Sequence, residues 1–195
     1  MTINIKVYKR YELIRKANKG EIMPIKQKLT IEKDSVTEMK KLIELTNKYN
    51  REYGGSLCKD ENDTVYLENI CAGKETCFHP KSHKCSENRN EIGLFHTHPG
   101  IEDNITPSAI ELPQKKDEIL CTGQKTENGN RILCIKLKKD QIRNDSSRQF
   151  EAWNIDDITN TKRFKYFGIG FGKYQKEMDK HIKKYYDETY INESE

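Results

Sequence analysis

The sequence predicts an α/β domain in which a β-sheet is flanked by helices. Short apolar runs with strand alternation recur along the chain, and two segments repeat their apolar residues at helical spacing. A length of 195 residues suits one compact domain with some decoration, since one hydrophobic core is normally sustained over that length. Hydrophobic residues make up only 34%, so clusters of Ile, Leu, Tyr and Phe must sit inside a highly charged exterior.

Residues 2 to 8 alternate apolar and polar through Ile3, Ile5 and Val7, the period of a half-buried strand. A second strand is expected over Ile25 to Ile31, after the turn-prone Lys19-Gly20. Ser35-Val-Thr-Glu38 has capping-box spacing, and Val36, Met39, Leu42, Ile43 and Tyr49 share a helical face, which predicts a helix over 35–49. Tyr53 to Cys58 and Val65 to Ile70 read as a hairpin around the polar Lys59-Asp-Glu-Asn-Asp63. Residues 72–91 are polar and irregular, and Ile92 to Phe95 then form a short apolar strand. A short helix is expected from Ser108 and must falter near Pro113, which cannot continue the hydrogen-bond ladder. Arg131 to Leu137 reads as a buried strand and Phe164 to Phe171 as a further one. A final helix carries Tyr174, Met178, Ile182 and Tyr185 on one face. Its Lys176, Lys180, Lys183 and Lys184 read as a solvated basic face.

Charge excludes some function classes. Lys and Arg total 35 against 31 Asp and Glu, interspersed, so the net +4 makes no case for nucleic acid. No apolar run approaches the roughly 20 residues that a membrane-spanning helix needs, and Met1-Thr-Ile-Asn-Ile-Lys-Val-Tyr8 is unlike a signal peptide. The expectation is a soluble, cytoplasmic protein without a membrane partner. Cys58, Cys71, Cys77, Cys85, Cys121 and Cys134 are accordingly expected as reduced thiols or metal ligands rather than as a disulfide frame, with Cys121 and Cys134 buried and inert.

The chemistry centres on Gly93-Leu-Phe-His-Thr-His-Pro-Gly100. On an extended strand, residues two apart project from one face, so His96 and His98 can meet a single metal ion. A catalytic zinc takes three protein ligands and leaves a fourth position open. In Thr106-Pro-Ser-Ala-Ile-Glu111, Ser108 and Glu111 are helical neighbours, which makes Glu111 the nearest well-placed carboxylate. Asp103, in the intervening loop, is the alternative ligand, less preorganised than a carboxylate on a helix.

These stretches resemble the JAMM or MPN+ (JAB/Mov34) zinc metalloproteases, whose signature is a glutamate, then His-x-His-Pro, then Ser-x-x-Asp. The matching segments are Glu52-Tyr-Gly-Gly-Ser-Leu57, Phe95-His-Thr-His-Pro99 and Pro107-Ser-Ala-Ile-Glu111, with 44 positions between Glu52 and His96. The chain departs from the family pattern in two respects. Glu111 stands where Asp is usual, and the stretch from His98 to Ser108 is two residues longer than the commonest form.

The resemblance covers roughly residues 25–137 and implies an MPN/JAB-like fold of the cytidine-deaminase type, a curved mixed β-sheet flanked by helices. It implies Zn2+ held by His96, His98 and Glu111, with Glu52 as general base and Ser108 as hydrogen-bond donor to the oxyanion, a role in which one donor is worth on the order of 3 kcal/mol. It also implies isopeptidase or peptidase activity at the C-terminus of ubiquitin or a ubiquitin-like protein. A non-catalytic scaffold of the same fold and a zinc hydrolase of small amides are the alternatives. Residues 1–24 then read as an N-terminal extension, 25–140 as the catalytic domain with an insertion at 72–91, and 141–195 as a C-terminal extension ending in the amphipathic helix.

Cys71, just before the insertion, and Cys77, His79, His83 and Cys85 within it fall in fifteen residues. Four of these could close a second, structural zinc site, although their spacing matches no standard finger.

Overall fold

The computed structural model describes residues 2–4, 29–73, 84–100, 107–108, 111–115, 117–138, 148–149, 151–152 and 169–191. Its strands are β1 (Thr2–Asn4), β2 (Thr30–Glu32), β3 (Tyr53–Lys59), β4 (Thr64–Ala72), β5 (Asn90–His98), β6 (Ile119–Thr126), β7 (Gly129–Leu137) and β8 (Tyr186–Ile191). The two long helices are α1 (Lys33–Tyr49) and α2 (Ile169–Tyr185). The strands form one mixed sheet in the order β1-β2-β4-β3-β5-β6-β7-β8. β2 runs parallel to β4 and β5 to β6, while the other neighbours are antiparallel.

The two-residue period of the strands divides the core into two layers. Ile119, Cys121, Ile132 and Cys134 pack with Val36, Met39, Leu42 and Ile43 of α1. The alternate residues Leu120, Leu133 and Ile135 pack with Met178 and Ile182 of α2 on the opposite face. Full burial of such a side chain contributes ~1.5–3 kcal/mol, so these two stripes hold the helices on the sheet. Close approach of backbone to backbone requires glycine at Gly93, where a Cβ would lie 1.7 Å from the Ile119 carbonyl oxygen. That contact sits at the start of the parallel β5/β6 pairing.

Most expected elements are present, with shifted limits. α1 begins at Lys33, before Ser35, because the Glu32 carboxylate accepts the Ser35 N–H at 2.8 Å and so supplies the cap. The proposed strands at 2–8 and 25–31 survive as Thr2–Asn4 and Thr30–Glu32; residues 5–8 and 25–28 lie outside the described residues. Of the strand expected over Phe164 to Phe171, residues 169–171 instead open α2, and 164–168 lie outside the described residues. A short apolar run fits a buried helix as well as a strand. β6 and β8 were not anticipated as strands. Both end segments add a strand to the same sheet, β1 beside β2 and β8 beside β7.

The expectation of reduced thiols is overturned for four cysteines. Cys58 is bonded to Cys85 across 27 positions and Cys121 to Cys134 across 13, whereas Cys71 has no disulfide partner among the described residues. Cys121 and Cys134 are direct partners in the β6/β7 register, so strand pairing brings their sulfurs together, a proximity that sequence spacing cannot reveal. Among the described residues no helix is long and apolar enough to cross a membrane.

Candidate metal centre

His96 and His98 lie at the end of β5 and point to the sheet face opposite α1. Their Nε2 atoms are 3.0 Å apart, and His96 Nε2 is 3.0 Å from Glu111 Oε1. One donor atom from each of the three residues falls within 4.8 Å of the other two. Two imidazoles and one carboxylate form the donor set of a catalytic zinc, so these residues fit the ion that the sequence implies. Asp103, the alternative ligand, lies outside the described residues.

Glu111 is held for this task by the segment that carries it. The Ser108 N–H and hydroxyl both donate to Glu111 Oε2 at 2.6 Å, and the Glu111 N–H returns a 3.1 Å bond to the Ser108 carbonyl. Only one half of a capping box is made: the Glu111 carboxylate caps the Ser108 N–H, while the Glu111 N–H bonds the Ser108 carbonyl, not its hydroxyl, in a tight i→i+3 turn. It leaves Oε1 directed at His96. Burial pushes the Glu111 carboxyl upward, but the hydrogen bond and charge of His96 and the two Ser108 donors outweigh it and bring the pKa to about 2. Glu111 is therefore an anion throughout the ordinary pH range. The Ser108 hydroxyl, expected to donate to an oxyanion, donates here to the Glu111 carboxylate.

Glu52 arrives from the other side. α1 ends in a left-handed cap at Asn50, and Arg51 and Glu52 then lead into β3. The Arg51 guanidinium donates to the Gly73 carbonyl at 3.0 and 2.8 Å, and the Gly73 N–H donates to the Glu52 carbonyl at 2.8 Å, which pins the backbone. Gly54 opposes His96 in the β3/β5 register, so Glu52, two residues earlier, faces the same side. The side chain is buried, and burial raises its pKa to about 7, with His96 pulling it down and Glu111 pushing it up. A carboxyl so poised gains and loses a proton near neutrality, as a general base must.

Sequence reasoning passed over the residue between the histidines. Thr97 is fully buried and points to the α1 side. Its Oγ1 accepts from the Tyr53 N–H at 2.9 Å, lies 3.0 Å from the Tyr53 carbonyl, and is hydrogen-bonded to Thr46 Oγ1 of α1. One hydroxyl thus joins the histidine strand, the residue after Glu52 and the helix. The available signal was the strand alternation itself, which turns the middle residue of His-x-His away from the ligands. Gln124, also passed over, opposes His98 in the β5/β6 register and is buried, with Oε1 lacking a hydrogen-bond partner among the described residues.

The cysteine and histidine insertion gives a different picture. Cys85 is bonded to Cys58, and Cys71 opposes Gly54, toward the other end of β3 from Cys58. Cys77, His79 and His83 lie outside the described residues. No protein-family model matches this chain, and no curated protein does either.

Proposed function

We propose that this chain is a zinc-dependent isopeptidase or peptidase of the JAMM/MPN+ type, built on an MPN/JAB-like fold and acting at the C-terminal tail of ubiquitin or a ubiquitin-like protein. The observation that carries the reading is the convergence of His96 Nε2, His98 Nε2 and Glu111 Oε1, with Glu52 buried on the same face of the sheet. An ion held by these three ligands supplies Lewis acidity at its remaining position, which acidifies water and polarises a carbonyl.

The protein's own residues supply the proton traffic. Glu52 takes a proton from the attacking water and returns it to the leaving nitrogen as the carbon–nitrogen bond breaks. Ser108 keeps Glu111 oriented through its N–H and hydroxyl. Its hydroxyl reaches an oxyanion only by turning away from Oε2, so the backbone N–H must then hold the ligand alone. The substrate rests on the family resemblance, because one fold hosts several activities.

The test is zinc per chain together with turnover of a ubiquitin-like fusion and of a cysteine-conjugated small amide, for wild type and Glu52→Gln. The proposal expects zinc bound in both forms and fusion cleavage only in wild type. Equal turnover in both, or no zinc retained, would favour a binding scaffold. Cleavage of the small amide alone would remove the ubiquitin-like substrate.

A further inference from the structure

We propose that Cys58, Cys85 and Glu68 form a second metal site, open to a thiophilic divalent ion such as Zn2+ once the Cys58–Cys85 bridge is reduced. The three residues come from β3, from the segment that returns to β5, and from β4. Both sulfurs and a Glu68 carboxylate oxygen lie within 4.8 Å of one another. Two thiolates and a carboxylate leave one tetrahedral position open.

The surroundings suit an ion in three ways. Glu68 is oriented in advance: Oε2 accepts from the Ser86 N–H at 2.8 Å and the Ser86 hydroxyl at 3.0 Å, while Oε1 is paired with Arg89. Such outer contacts fix a ligand's direction before metal arrives. Charge closes as well, because two thiolates and Glu68 carry −3 against +2 from the ion and +1 from Arg89. Neutrality matters here because Cys58 is fully buried, and uncompensated charge in such a place is costly. Arg89 is itself held, its guanidinium 3.4 Å over the Tyr66 ring.

Reduction reaches this bridge before the other. Cys85 is partly exposed, whereas Cys121 and Cys134 are both buried. A cellular dithiol passes two electrons and two protons to the bridge and closes its own disulfide, leaving Cys58 and Cys85 as thiols. The ion then binds as both thiol protons depart to solvent. One crosslink replaces another, so residues 84–90 stay pinned to β3 and β4 in either redox state.

Cobalt titration of the intact chain tests this, with a phosphine as reductant. The phosphine becomes its oxide using the oxygen of water, and the two water protons go to the sulfurs. The expected result is a thiolate-to-cobalt charge-transfer band that appears only after reduction, is lost in Cys58→Ser and in Cys85→Ser, and requires at least ~10-fold more cobalt in Glu68→Gln. Only sulfur gives that band, so the histidine centre is silent in it and the outcome is separate from the hydrolase reading. Cys85→Ser, in a partly exposed segment, decides the question should Cys58→Ser fail to fold. A reduced wild-type chain without the band, or a band that persists in a folded serine variant, overturns the proposal.

Discussion

Replacing Thr97 with valine removes a hydroxyl and keeps the side-chain shape. The Tyr53 N–H then loses its acceptor, the Tyr53 carbonyl its donor and the Thr46 hydroxyl its partner, in a region where Thr46 and Thr97 are fully buried. A buried polar group left unpaired costs ~1–3 kcal/mol. Tyr53 is only half-buried, so water recovers part of its share, and the expected loss is about 3 kcal/mol in total. Urea unfolding of Thr97→Val, Thr46→Val and the double variant measures this as a cycle. The double variant should be more stable than the sum of the single losses allows, because replacing both hydroxyls leaves no orphan between them. The histidines face the other side, so zinc per chain should match wild type. kcat should fall on the order of 100-fold, since Tyr53 carries Glu52 with it and small misplacements at a reacting centre have that effect. A loss below about 0.5 kcal/mol, smaller than the usual cost of one net hydrogen bond, would refute this account of Thr97.

Three further outcomes are expected. Glu111→Ala should abolish stoichiometric zinc uptake, whereas Glu111→Asp should retain weaker binding because the shorter carboxylate must still span from Ser108 to His96; metal analysis after dialysis distinguishes them. His181 is buried with no hydrogen bond to either ring nitrogen among the described residues, and burial lowers its pKa from 6.5, opposed by Glu151 at 3.8 Å and reinforced by Lys184 and Arg148. Because the unfolded chain protonates first, stability should be full above pH 6.5 and fall below it, by at most ~1.4 kcal/mol per pH unit, and His181→Leu should flatten that slope in pH-dependent urea melts. Opening the Cys121–Cys134 bridge as the double serine variant should cost ~3 kcal/mol by the chain-entropy relation for a loop of 13 residues, read as a lower urea midpoint without loss of zinc.

The histidine pair and its acidic partner were legible because each depends on a local period. Two residues on a strand share a face, and Ser-x-x-Glu closes its own turn, so His96, His98, Ser108 and Glu111 could be grouped before any coordinates. The central hairpin and α1 were legible for the same reason, as alternation and helical recurrence are properties of the segment alone. β6 and β8 were harder to see, since Thr122, Gln124 and Thr189 are polar yet buried, and their burial follows from neighbouring strands.

The chain therefore determines by itself an α/β pattern and a candidate grouping of two histidines with a carboxylate. Tertiary structure alone decides that Glu52 loses solvent and rises to about 7, that Thr97 ties its strand to α1, and that Cys58 meets Cys85 and Cys121 meets Cys134. The physical reason is range. Desolvation, cross-strand register and sulfur proximity depend on groups brought together from distant parts of the chain, and no local period encodes them.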